Sequence, residues 1–143
     1  MKYLGLLFLV LAPTHLKATT AVCQNAIGHA YGQRGQDGEG KRVDYADSMK
    51  TDTFIFSWST AEKSASVTIS NPLIKRNNSQ LATMVSETSG QVSFAAGDST
   101  TSWLYSIFPK SSVALISRHD TDAMSHSGGA IATSFLATCV ISE

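Results

Sequence analysis

From residue 51 onward, apolar and polar side chains alternate with a period of two. Over 53–58, Phe54, Phe56 and Trp58 share one face; over 64–70, Ala65, Val67 and Ile69 do so while serines and a threonine hold the other. Val92, Phe94 and Ala96 line up in 91–96, and Trp103, Tyr105 and Ile107 in 102–108. Segment 112–118 places Val113 and Leu115 opposite Ala114 and Ile116. The last stretch, 129–141, sets Ile131, Phe135, Ala137, Cys139 and Ile141 on one side. A period of two is that of antiparallel strands buried on one face. Segment 81–86 carries a weaker form of the same pattern.

Turn residues separate these runs. Segment 59–63, Asn71-Pro72, Asn77-Asn78, Ser89-Gly90, Gly97-Asp98, Pro109-Lys110 and Gly128-Gly129 all supply turn chemistry. Strands recurring every ten or so residues predict an all-β fold, a small antiparallel up-and-down barrel or barrel-like meander, with a β-sandwich as the alternative. With one strand from the N-terminal segment the total is about eight, enough for a small barrel to close around side chains or one ligand.

That N-terminal segment reads two ways. Cys23, Ala26, Ile27, Ala30 and Tyr31 fit a short helical stripe, which Gly28 and Gly32 weaken. A bent first strand is the other reading. Residues 32–41, rich in glycine and mixed in charge, are expected to form a loop.

The two cysteines lie at opposite ends of the folding region, 116 positions apart. A bridge between Cys23 and Cys139 requires the first and last elements to be neighbours, as they are in a closed meander. Ahead of them stands a secretory signal: Lys2, an apolar run from Tyr3 to Ala12 too short to span a bilayer, then Pro13 and a polar stretch. Residues 1–21 are read as the signal, with cleavage after Ala21 favoured over Ala18 because Leu16 is bulky. Residues 22–143 are then a single β domain. Val22 in front of Cys23 does not suit lipidation, so a disulfide in an oxidising, secreted or periplasmic compartment is the expectation. No later stretch is long and apolar enough to cross a membrane.

About 120 mature residues suffice for one core and not for two. Formal charge is zero over the whole chain, and loss of Lys2 and Lys17 leaves the remainder slightly acidic. That balance argues against a nucleic-acid binder. In architecture the chain resembles small secreted barrels of the calycin type, although the early tryptophan of lipocalins has no counterpart here, and a shared fold does not by itself fix a function.

Candidate chemistry is sparse. Arg118-His119-Asp120-Thr121-Asp122 with His126 forms the densest polar cluster, expected in the last loop; His119, Asp120, Asp122 and His126 are metal-ligating residue types without a defined spacing motif. No serine sits in a nucleophile elbow. Phe54, Phe56, Trp58, Phe94, Trp103 and Tyr105 would either line a ligand cavity or fill the core. Lys75-Arg76-Asn77-Asn78 reads as a basic turn, and Asn77-Asn78-Ser79 is a glycosylation sequon. The favoured reading is an exported non-enzymatic binding protein for a small hydrophobic ligand or a protein partner, in an inhibitor-like role, with no cofactor. The alternative is a metal-dependent or hydrolytic enzyme using the 119–126 loop.

Overall fold

A computed structural model describes residues 18–34, 41–120 and 130–142. The described residues form one antiparallel sheet of nine strands: β1 (Thr19–Arg34), β2 (Lys41–Met49), β3 (Thr53–Ser59), β4 (Ser64–Asn71), β5 (Arg76–Glu87), β6 (Val92–Gly97), β7 (Thr101–Phe108), β8 (Val113–Asp120) and β9 (Ala130–Ser142). Each of β3 to β9 pairs with the next, and β9 pairs back onto β1 while β1 pairs onto β3. Eight strands therefore close into an up-and-down barrel, with β2 as an extra strand on β1. No α-helix occurs among the described residues; a 3-10 turn, Pro109–Ser111, links β7 to β8.

The N-terminal segment is the bent strand, not the helix. Asn25 adopts a left-handed backbone (φ 56°), and the β1–β9 register shifts between Gln24 and Ile27. This bulge reverses the inside–outside alternation. Ala21 and Cys23 point inward before it, and Ala26 and Ala30 after it. The inward set thus falls at 23, 26 and 30, a spacing that mimics one face of a helix. Ile27 and Tyr31, which completed the apparent stripe, face outward and are half exposed.

Beyond the bulge, β1 pairs with β2 on the edge that carries β3 before it. Strands β2 and β3 are one long partner of β1, interrupted by a turn in which Asp52 N–H donates to the Met49 carbonyl (3.0 Å). Strand β2 is the extra strand outside the ring and contributes Met49 to the core. Asn77 and Asn78, expected in a turn, belong to β5; the turn is 72–75, with Lys75 in the left-handed region (φ 53°). His119 and Asp120 belong to β8 and not to a loop.

Inward-facing side chains form a single core. Phe56 lies at its centre, 6.3 Å from Phe54, 6.2 Å from Phe94 and 5.1 Å from Tyr105 between ring centroids, and Trp58 meets Phe94 at 5.7 Å. Phe135, Ile107, Ile116 and Val67 complete it, all fully buried. Outside, hydroxyls bond across strands, as Thr68 to Ser79 (3.0 Å) and Ser93 to Ser106 (2.9 Å).

Cys23 and Cys139 are direct cross-strand partners on β1 and β9 and are joined by a disulfide. Both are buried, an arrangement compatible with an oxidising compartment. Gly28 makes the same contact possible one stretch further on: a Cβ there would collide with the Ser134 carbonyl. A glycine in a strand interior ordinarily weakens it; here it permits close backbone approach.

Replacing Gly28 with alanine is therefore expected to lower stability by about 2 kcal/mol, through forced separation of β1 and β9. Urea unfolding of the variant measures this, and an unchanged or raised midpoint would contradict the close approach.

Candidate functional site

The barrel has two unlike ends. One carries the turns 60–63, 88–91 and 109–112; the other carries the turns 72–75 and 98–100 and the outgoing end of β8. Inward positions near the first end and the middle are apolar. Near the second they become polar, because β4, β5, β7 and β8 each place a polar or amphipathic residue at the next inward position. The result is a surface cavity of about 410 Å³ lined by Ile69, Arg76, Asn78, Gln80, Trp103 and Arg118, with Asp98, Thr101 and Asp120 at its rim. That volume lies within the range of small-ligand sites.

Its floor is aromatic. Trp103 stacks parallel to Tyr105 (5.7 Å, 6°), and the Arg118 guanidinium carbon stands 5.6 Å from the Trp103 ring centroid. Tyr105 reaches Phe56 edge-on. A column of guanidinium, indole, phenol and phenyl thus runs from the mouth into the core. Gln80 donates to the Tyr105 hydroxyl (3.4 Å). Burial pushes that phenol well above its ordinary pKa, against the opposing effect of the Gln80 bond.

One wall is a polar network. Arg76 donates to Asp52 Oδ1 (2.7 Å), and Asn71 Nδ2 donates to the same oxygen (2.9 Å) and to Thr51 (3.0 Å). Asn71 Oδ1 accepts from Leu73 N–H (3.0 Å), which closes the 72–75 turn. Asp52 is buried, whereas Arg76 keeps about a third of its side chain exposed (35%). On the rim, the Asp98 carboxylate accepts from the backbone N–H groups of Thr100 (2.8 Å) and Thr101 (2.9 Å) and from the Thr100 hydroxyl (2.9 Å). These bonds hold its pKa below the usual carboxylate value.

Three polar groups of this end are buried without a hydrogen-bond partner: Arg76 Nε, Arg118 Nε and Thr133 Oγ1. Thr133 is 1% exposed and is the cross-strand partner of Arg118. Periodicity alone gave no sign of Arg76, Gln80 or Thr133, because a polar residue at an inward position reads as a break in the pattern.

Of the aromatic candidates, Phe54, Phe56, Trp58 and Phe94 lie in the packed interior. Trp103 lines the mouth, and Tyr105 lies beneath it. Of the metal candidates, His119 and Asp120 are described, and these two are not brought together. His119 and Asp120 are consecutive on β8 and so face opposite sides of the sheet: His119 is exposed on the outer wall, and Asp120 lines the mouth. Asp122 and His126 lie outside the described residues. Among the described residues no three His, Cys, Asp or Glu side chains are placed to hold a metal ion. Asn77 of the sequon is exposed.

The outer wall carries a second feature. Ile27, Leu136 and Leu115 are successive cross-strand neighbours on β1, β9 and β8, each about half exposed. Leu104 of β7 extends the band. Comparison of the chain with protein-family models, curated proteins and solved structures finds no match.

Two outcomes follow for this end. Tyr105 keeps its proton in the folded state above pH 10, where a phenol in the unfolded chain loses it, so stability should fall as pH rises past about 10. Alkaline unfolding should be steeper for the parent than for Tyr105→Phe; equal slopes would contradict the burial argument. Asp52→Asn leaves Arg76 without its counter-charge and should cost about 1 to 2 kcal/mol, moderated by the exposure of Arg76. Adding Arg76→Gln should recover part of that loss in a double-mutant cycle, and strict additivity would show the pair to be uncoupled.

Proposed function

We propose that this chain is an exported, non-enzymatic binding protein whose ligand is a small molecule held at the polar mouth of the barrel. The observation that carries the reading is the convergence of Trp103, Arg118, Arg76, Asn78 and Gln80 on one cavity above a floor of packed rings. Convergent polar side chains are what orient a ligand in small-molecule sites. The filled interior moves the expected hydrophobic contact from the lumen to the Trp103 end of the column.

Export accords with the buried disulfide. The processing point bears on the fold. Thr20 and Ala21 pair with both β3 and β9, Thr19 pairs with β3, and Ala21 is fully buried. Cleavage after Ala21 would remove these rungs, whereas cleavage after Ala18 keeps β1 whole.

Native mass spectrometry of gently purified exported protein tests both points. The expected result is a chain beginning at Thr19 with a bound small molecule, whose removal shifts the Trp103 indole resonance and leaves that of Trp58 in place. A consistently bare chain, or ligand-induced shifts confined to Trp58, would overturn the mouth as the site.

A further inference from the structure

We propose that the group recognised at the mouth is an oxyanion, a carboxylate or phosphate on a small organic molecule, and that Arg118 is its main contact. The inference rests on the mouth being the binding site. It starts from the state of the charges there. Arg76 is matched by Asp52, and Asp52 is further held by Asn71. The Asp98 carboxylate is taken up by three donors of its own turn. Asp120 is engaged in an interaction of its own.

Arg118 differs from all of these. No ion pair joins it to a carboxylate among the described residues, and its Nε, like that of Arg76, is buried with no acceptor. Its recorded contact is the face of Trp103. A buried N–H without an acceptor is a costly arrangement, and the ring face beside it offsets only part of the loss. Beside it, the Thr133 hydroxyl is buried and equally without a partner. Two adjacent unmatched donors on the inner wall call for an acceptor with more than one oxygen. The planar fork of arginine fits carboxylate and phosphate in that way.

The stack favours binding as well. Arg118 rests on Trp103, Trp103 on Tyr105, and Tyr105 on Phe56 in the core. The fork is therefore oriented before a ligand arrives, and little side-chain entropy remains to be lost. Ile69 and the Trp103 edge give the organic part of the ligand an apolar neighbour. The carboxylates near the mouth have partners of their own, Asp52 in Arg76 and Asn71 and Asp98 in its own turn, whereas Arg118 has no carboxylate partner among the described residues.

The test is titration of the full mature protein with benzoate, phenyl phosphate and neutral benzamide, following the Arg118 Nε–H and Trp103 indole N–H resonances. Both anions should shift the two signals, benzamide should not, and the shifts should weaken with added salt. The tighter of the two anions identifies the source of the oxyanion. Arg118→Gln should weaken anion binding about tenfold or more, and Arg118→Lys, which keeps the charge without the fork, should fall between. Near-UV circular dichroism of the variants establishes that the fold is retained. Equal binding of benzamide and benzoate, or an Arg118→Gln variant that binds benzoate as the parent does, overturns the oxyanion assignment and leaves the mouth as a site for neutral ligands. Absence of any shift from the anions at about 10 mM overturns the assignment as well; occupancy in the native preparation then decides separately whether the mouth binds anything.

Discussion

The pairing of β1 with β9 is the constraint on which the rest of this molecule depends. From β3 to β9 each strand pairs with its neighbour in sequence, and β1 reaches β3 across β2 alone, so these hydrogen bonds cost little loop closure. Only β1–β9 joins the two ends of the chain. Without it the sheet would present two long unpaired edges and one exposed apolar face. With it, the inward side chains of all eight ring strands face one another. The Cys23–Cys139 bridge sits in this seam, and for a loop of 116 residues the chain-entropy model assigns it about 5 kcal/mol. Gly28 serves the same seam by letting the two backbones approach.

Closure also explains why the proposed binding surface is at an end of the barrel. A ring of eight strands leaves room for side chains and little else. Here Phe54, Phe56, Phe94, Tyr105 and Phe135 occupy that room. A ligand must then sit where the rings stop, and they stop at Trp103. From that level outward the inward positions carry guanidinium, amide, carboxylate and hydroxyl groups. The packed column below them gives the mouth a rigid base, which a binding site built on loops alone would lack.

Much of this architecture was legible in the sequence. The alternation in β3, β4, β6, β7, β8 and β9 is clean because each has one face on a core of large apolar residues. The cysteine pair pointed to neighbouring chain ends. The first strand was ambiguous for a physical reason: the bulge at Asn25 converts a period of two into a helix-like spacing. Strand β2 was missed because its sequence shows no run of alternating apolar residues, and Met49 is its one core residue among those whose burial is described. The mouth was legible only in part. Trp103 and Tyr105 stood out as aromatics and Arg118 as a charge, but Arg76 and Gln80 became lining residues only when the fold brought β4, β5, β7 and β8 round one opening. His119 and Asp120 looked like a pair in sequence, and a strand separates consecutive residues to opposite faces.

The account is tested most directly by long-range proton contacts between the first and last strands in the oxidised protein. It predicts cross-strand nuclear Overhauser effects linking Val22 with Val140 and Ala30 with Thr133, together with slow amide exchange along both strands. A spectrum that lacks these contacts and shows rapid exchange along the β1 and β9 amides would mean an open sheet, and the mouth assembled from β4, β5, β7 and β8 would lose the closed wall that supports it.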